Sequence, residues 1–86
     1  MRVIVGSQFA KDAGHLPEPV QKKLAILIVV CSNNPFDTRL HTKPLSGPMQ
    51  GLFSFRVGRD YCALFRFVDP TTIFLSRVGS RKDIYR

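Results

Sequence analysis

Apolar residues recur along this chain in two rhythms, and the change between them separates a helical first half from a sheet-forming second half. Met1 to Val5 is short and rich in β-branched residues, so it reads as a strand. Ser7 is a fair N-cap, and Gln8 to Ala13 predicts a short helix ended by Gly14. Pro17 and Pro19 stand where helix starts tolerate proline, so a second helix is expected from Glu18 to Cys31. Leu24 to Cys31 is apolar on every face, and period alone would allow a strand there. The polar Gln21-Lys22-Lys23 lead-in and the total length favour helix. A helix end that is apolar all round is either sandwiched in a core or left for a partner to cover.

Ser32-Asn33-Asn34-Pro35 stops that helix, and Phe36 to Gly51 reads as an irregular connection with Gly47-Pro48 as its turn signal. Strand periodicity then takes over. From Leu52 to Val57, Phe53, Phe55 and Val57 fall on one face, with Ser54 and Arg56 on the other. Gly58-Arg59-Asp60 supplies a tight turn. Tyr61 to Val68 continues with Ala63, Phe65 and Phe67 opposite Cys62, Leu64 and Arg66; Asp69-Pro70-Thr71 turns again, and Ile73 to Val78 is the last strand. A short basic tail, Gly79 to Arg86, follows.

The order β-α-α-β-β-β predicts an α+β fold in which two N-terminal helices cover one face of a small antiparallel sheet. The phenylalanine face needs burial. The face carrying Ser54, Arg56 and Arg66 does not, which leaves a concave, arginine-bearing surface with the tail free to fold over its edge. The length, 86 residues, predicts one domain over 1–86. A chain this short has a thin margin of stability, so a partner that binds only its native state is plausible on physical grounds.

Charge changes this picture more than composition does. Thirteen Lys and Arg stand against six acids, for a net charge of +7, and eight of the thirteen are Arg. Nine of the basic and four of the acidic residues lie from Asp37 onward, so most of the excess sits in the second half of the chain. Arg grips phosphate and carboxylate with a planar fork of donors, so a polyanion is the expected partner, whether nucleic acid or an acidic protein. A basic surface serving only solubility is the plain alternative. Cys31 and Cys62, the only two cysteines, show no CxxC spacing. No signal peptide or membrane-length apolar run is evident, so a reduced, cytoplasmic protein is expected. Two Cys and two His scattered without ligand spacing predict no metal site, and no Gly-rich phosphate loop predicts a cofactor.

Four segments of the second half form an ordered set: Pro44-Leu45-Ser46-Gly47, then Gly51-Leu52-Phe53-Ser54-Phe55-Arg56-Val57-Gly58-Arg59-Asp60-Tyr61, then Leu64-Phe65-Arg66-Phe67, and finally Val78-Gly79-Ser80-Arg81-Lys82-Asp83-Ile84-Tyr85. In these residues the chain resembles the RelE/ParE superfamily of toxins. The first half matches in pattern only. The resemblance implies a toxin held inactive by a tightly bound, usually acidic antitoxin, in a toxin–antitoxin hetero-oligomer. Many members cleave messenger RNA at the ribosome without a metal, whereas the ParE branch inhibits DNA gyrase. A relative that still binds its antitoxin but poisons nothing is the third possibility.

Carried over by position, the resemblance implies that Arg56 contacts the scissile phosphate, that Arg81 stabilises the transition-state charge, and that Tyr85 stacks on a base or assists proton transfer. His41, Lys43, Arg59, Arg66, Arg77 and Lys82 are the expected RNA contacts, His41 because YafQ-type members place a histidine just before the Pro-Leu segment. The plain alternatives are an outward-facing arginine for Arg56, a solvated tail residue for Arg81 and a hydrophobic lid for Tyr85. His15, at a helix junction, is expected to be structural. Three residues depart from the family pattern: Ser54 stands where some nucleases carry a Lys, Cys62 where an Arg is usual, and Ser80 where a His or Lys precedes the arginine. Each removes a cation or a candidate acid or base, and Arg59, Arg66 or Arg77 are the candidates to compensate. An antitoxin segment is expected over the basic sheet face or against the apolar 24–31 helix.

Overall fold

The computed structural model describes residues 1–85. Strand β1 (Arg2–Val5) leads into helix α1 (Ser7–Gly14) and helix α2 (Glu18–Asn33). A 3-10 turn (Thr38–Leu40), the two-residue strand β2 (Lys43–Pro44) and a second 3-10 turn (Gly47–Met49) follow, and β3 (Phe53–Val57), β4 (Tyr61–Asp69) and β5 (Thr72–Ser80) complete the chain. The five strands form one sheet in the order β1-β5-β4-β3-β2, with β1 parallel to β5 and every other pair antiparallel. The expected α+β class and both helices are present. None of the described helices is long and apolar enough to cross a membrane.

Several boundaries differ from the sequence reading for local reasons. Gly6, not Ser7, occupies the cap position of α1, and no side chain caps it. Gly6 is held there because its N–H donates to the Leu75 carbonyl at 3.0 Å. A Cβ on Gly6 would lie 2.6 Å from the Phe74 ring and 2.8 Å from that carbonyl oxygen, so only glycine lets β1 turn into α1 this close to β5. The connection expected to be irregular over 36–51 contains β2, which pairs Lys43 with Ser54 and Pro44 with Phe53. Two residues carry no strand signal of their own. Pairing with β3 creates this one. The last strand runs on to Ser80 because Tyr61 of β4 extends far enough to pair with it.

The alternation read from sequence sorts the sheet as expected. Phe55, Val57, Ala63, Phe65, Ile73, Leu75 and Val78 enter one core together with Phe9 of α1 and Leu24, Leu27, Val30 and Cys31 of α2. Phe53 stacks on Phe65 at 5.5 Å and meets Phe67 edge-on at 5.4 Å, so the aromatic face is continuous across β3 and β4. The apolar helix end is divided: Leu24, Leu27, Val30 and Cys31 are buried in the core, while Ile26 and Val29 are 65% and 60% exposed. Cys31 is a free thiol whose burial pushes its pKa up to about 11, which suits a core residue.

The opposite face is less open than the sequence suggested. Ser54, Cys62 and Leu64 are buried there. The tail does not merely border this face but lies over it, its Tyr85 hydroxyl reached by the Cys62 thiol at 3.5 Å. Arg56 and Arg66 remain exposed on either side.

Candidate functional site

Four strands and the tail meet at one end of the sheet. Arg56 on β3 is directly opposite Cys62 on β4, which in turn is opposite Gly79 on β5, so all three positions share one face. β2 adds Lys43 beside Ser54 on the same face. The tail is then turned back by β5's end: the Ser80 carbonyl accepts from the N–H groups of Asp83 and Ile84, and the Ser80 hydroxyl accepts from Lys82 N–H at 3.2 Å. That turn carries Tyr85 over the sheet. The result is a small cavity of about 90 Å³ lined by His41, Lys43, Ser54, Arg56, Cys62, Arg81 and Tyr85. It holds the volume of about three water molecules, the scale of a phosphate group.

Arg81 is positioned from two sides. Its N–H donates to the Asp60 carbonyl at 2.9 Å, and its guanidinium donates to the Arg59 carbonyl at 3.3 Å, so the β3–β4 turn fixes it. Neither Arg56 nor Arg81 has a carboxylate oxygen within salt-bridge distance among the described residues. Lys43 lies with its Nζ 5.8 Å from the Tyr85 ring centroid, a cation held against an aromatic face. His41 adopts a left-handed backbone conformation, φ 51° and ψ 43°, and is the single non-glycine residue with positive φ among those described. Strain of this kind persists only where the surroundings hold it, and here the 3-10 turn before it and β2 after it do so.

The three departures from the family pattern share one location. Burial pushes the Tyr85 phenol above its ordinary value; a hydrogen bond with Ser54 opposes the rise, and Cys62 adds to it. Burial likewise pushes the Cys62 thiol up, against the pull of its bond to Tyr85 and of the Arg81 and Lys43 charges. A neutral thiol and a neutral phenol follow. Ser54 and Cys62 therefore hold the Tyr85 hydroxyl, and Ser80 holds the turn that delivers it. The sequence offered no sign of this, because a serine or cysteine on an alternating strand does not announce its partner in the tail.

Of the nine residues singled out from sequence, five line this cavity: Arg56, Arg81, Tyr85, His41 and Lys43. Arg59 and Lys82 flank it, lining with Arg81 and Tyr85 an open groove of about 760 Å³. Arg66 and Arg77 lie elsewhere. Arg66 sits against the Phe74 ring at 4.8 Å, four residues along β4 from Cys62 and about 13 Å away at strand rise. Arg77 is ion-paired with Asp12 of α1 at 2.7 Å. Asp12 accepts from the Val78 N–H at 3.2 Å as well, which ties α1 to the part of the β5 edge that β1 leaves open. Burial alone would raise the Asp12 pKa, but the bonds from Arg77, Gln8 and Val78 outweigh it and hold the carboxyl below its ordinary value. His15 donates from Nδ1 to the Lys11 carbonyl at 2.8 Å, at the end of α1. No group of three His, Cys, Asp or Glu side chains among the described residues is placed to hold a metal ion.

Comparison with known proteins fits this geometry. No family model matches the chain. It is 32% identical over 87 residues to Toxin RelE3 of Methanocaldococcus jannaschii, across 99% of this chain and 96% of the relative. Among solved structures it superposes on the RelB–RelE antitoxin–toxin complex from Methanococcus jannaschii with a TM-score of 0.77 at 30% identity, covering 95% of this chain and 94% of the other. The toxin–antitoxin complex RelBE2 from Mycobacterium tuberculosis gives 0.79 at 27% identity, covering 93% and 96%. YafQ from E. coli gives 0.82 over the whole of both chains, but at 20% identity it speaks for the fold alone. A full-length relative of this similarity, with the fold in common, means that the chain belongs to the RelE family of toxins.

Proposed function

We propose that the chain is the toxin of a toxin–antitoxin pair and acts as a metal-independent, ribosome-associated endoribonuclease on messenger RNA. The observation that carries this reading is the convergence of Arg56, Arg81 and Lys43 with Tyr85 and His41 on one phosphate-sized cavity. Cleavage of this type uses the RNA's own 2′-hydroxyl against the adjacent phosphate. The protein must then offset charge on the five-coordinate phosphorus, help remove one proton and supply another. Arg56 and Arg81, with no carboxylate among the described residues within ion-pair distance, face the phosphate oxygens and do the first. Arg81, held by the Arg59 and Asp60 carbonyls, needs little reorganisation when charge develops. Tyr85, held neutral, has a phenolic proton to give to the leaving 5′-oxygen, and His41 stands at the rim as the partner for the attacking hydroxyl. Arg59 and Lys82, in a groove that Asp60 and Ser80 also line, supply further contacts along the RNA backbone. Cys62, neutral and bonded to Tyr85, is a positioning group and not a nucleophile.

The test is messenger RNA cleavage in a cell-free translation reaction with divalent metal held constant and with Arg81→Ala as the comparison. Cleaved messages with the native chain and intact ones with Arg81→Ala are expected. Arrested growth with every transcript intact would overturn the reading and turn attention to gyrase, where unchanged supercoiling in the presence of toxin would remove that target too.

Several of the solved relatives are toxin–antitoxin complexes, RelB–RelE and RelBE2 among them, and a cognate antitoxin is the partner that follows for this chain. Ile26 and Val29 on α2 and the cationic face are the two surfaces such an extended acidic peptide would cover. A melting temperature that does not rise on adding the antitoxin would remove that partner.

A further inference from the structure

Two small polar side chains form the floor of the cationic cavity. Ser54 is 3% exposed and Cys62 2%, and both line the cavity beside Arg56, Arg81 and Lys43. Polar groups buried this deeply need partners. Both find one in the same atom: the Cys62 thiol donates to the Tyr85 hydroxyl at 3.5 Å, and Ser54 hydrogen-bonds that hydroxyl as well. No buried side-chain nitrogen or oxygen among the described residues is left without a partner.

The sheet's register makes room for this contact. Cys62 stands between Arg56 on β3 and Gly79 on β5, so the position beside the thiol on β5 has no side chain. Ile84 of the tail comes within 3.6 Å of the place that a Cβ on Gly79 would take, which brings the tail close to the sheet. Tyr85 follows one residue later. An arginine at position 62, usual in the family, would compete with the phenol for this space. It would also add a further cation to Arg56, Arg81 and Lys43.

We propose that Ser54, Cys62 and Tyr85 act as one unit, in which the two small side chains are positioning residues that aim the phenol into the cavity and replace the cations usual at 54 and 62. The inference rests on the endoribonuclease reading and deepens it: the departures from the family pattern are an exchange of one device for another, not a loss. In the cleavage step the Tyr85 O–H bond breaks, the proton goes to the leaving 5′-oxygen, and the electron pair stays on the phenolic oxygen. There the Ser54 hydroxyl donates to it, and a hydrogen bond to a charged acceptor is stronger than one to a neutral acceptor. The proton taken from the 2′-hydroxyl returns to the phenolate through water once the products have left. Cys62 acts before this step, fixing the direction of the phenol.

A double-mutant cycle tests the unit, because residues that act only through Tyr85 lose their effect once its hydroxyl is gone. Message cleavage rates in a cell-free translation reaction are compared for the native chain, Cys62→Ala, Cys62→Ser, Ser54→Ala and Tyr85→Phe, and for Cys62→Ala and Ser54→Ala each combined with Tyr85→Phe. Melting temperatures control for folding. Cys62→Ala and Ser54→Ala should each slow cleavage by about two- to tenfold, the range for one hydrogen bond, and neither should slow it further in the Tyr85→Phe background. Cys62→Ser keeps a donor and should recover part of the loss, whereas Cys62→Arg should cleave more slowly than the native chain. Equal losses with and without the Tyr85 hydroxyl, a Tyr85→Phe rate equal to the native one, or a faster Cys62→Arg would overturn the unit while the nuclease reading stands. If the native chain does not cleave, both fall together.

Discussion

Arg77 and Arg81 are four residues apart in sequence, yet they end in opposite electrostatic circumstances. Arg77 reaches Asp12 at 2.7 Å and spends its charge on fastening α1 to the β5 edge. The Arg81 guanidinium donates to the carbonyl of Arg59 and lines the cavity with its charge uncompensated by any described carboxylate. Arg39, paired with Asp37 at 2.9 Å, belongs with Arg77. The difference comes from where α1 stops. The helix leaves β1 through Gly6 and runs along β5 just far enough to bring Asp12 to Val78, and nothing acidic on it extends to the tail. A net charge of +7 therefore overstates the charge available to phosphate. What matters is which cations lack a partner, and the tertiary fold decides that.

The sharpest way to break this comparison is to remove each arginine in turn. Arg81→Ala should lower the rate of message cleavage about a hundred- to a thousandfold, the loss typical of one transition-state donor, with little change in melting temperature. Arg77→Ala should do the reverse, lowering the melting temperature while cleavage by the folded protein persists. A loss of cleavage in Arg77→Ala as deep as in Arg81→Ala would erase the distinction.

Asp12→Ala probes the structural side more strongly than Arg77→Ala, because it leaves the Val78 N–H without its acceptor as well. A loss of about 1–3 kcal/mol in urea unfolding is expected. Gly6→Ala, which forces a Cβ into the Phe74 ring and the Leu75 carbonyl, should cost a similar amount, about 1–3 kcal/mol, without touching the cavity.

Acid gives a gentler measure. The Asp12 carboxyl is held below its ordinary value near 3.8 in the folded chain. Its contribution to stability is accordingly present in full above that value and is lost as pH falls through the lower, folded one. Asp37, held down to about 2 by its bonds from Arg39, adds to the same acid loss. Native protein and Asp12→Asn should differ in urea midpoint at neutral pH and converge on acidification below about pH 4. Curves that stay parallel would show that Asp12 acts through shape alone.

The smallest effect belongs to Tyr85→Phe. It deletes the hydroxyl held by Ser54 and Cys62 but keeps the ring, so stability should change by less than about 1.5 kcal/mol. Cleavage should fall by more than that change explains if the phenol delivers a proton. A rate equal to the native one would leave Tyr85 as a stacking surface only.

Much of the fold was legible because it rests on short-range pattern. Phe53, Phe55 and Val57 alternate with Ser54 and Arg56, and a strand has no other way to arrange them than on opposite faces. Pro19 and the apolar run to Cys31 set out α2 in the same way, although the helix continues to Asn33. β2 was not legible: Lys43-Pro44 has no strand pattern and becomes one only by pairing with β3. Nor was the burial of Ser54, Cys62 and Leu64, since what covers a strand's second face is settled by residues distant in the chain. In the site, Arg56, Arg81 and Tyr85 were named from family resemblance, and the structure brings them to one cavity. Arg66 and Arg77, expected as RNA contacts, do not line that cavity, one lying along β4 against Phe74 and the other engaged by Asp12.

By itself the sequence determined the alternation, the helices and the excess of guanidinium groups, because these depend on neighbours along the chain. The tertiary structure alone decided that β1 joins β5 in parallel, that Ser54, Cys62 and Ser80 converge on Tyr85, and which arginines stay unneutralised. Those outcomes depend on contacts between segments tens of residues apart, such as Asp12 with Arg77 and Cys62 with Tyr85. No local propensity encodes them; they arise when one core brings distant side chains to the same place.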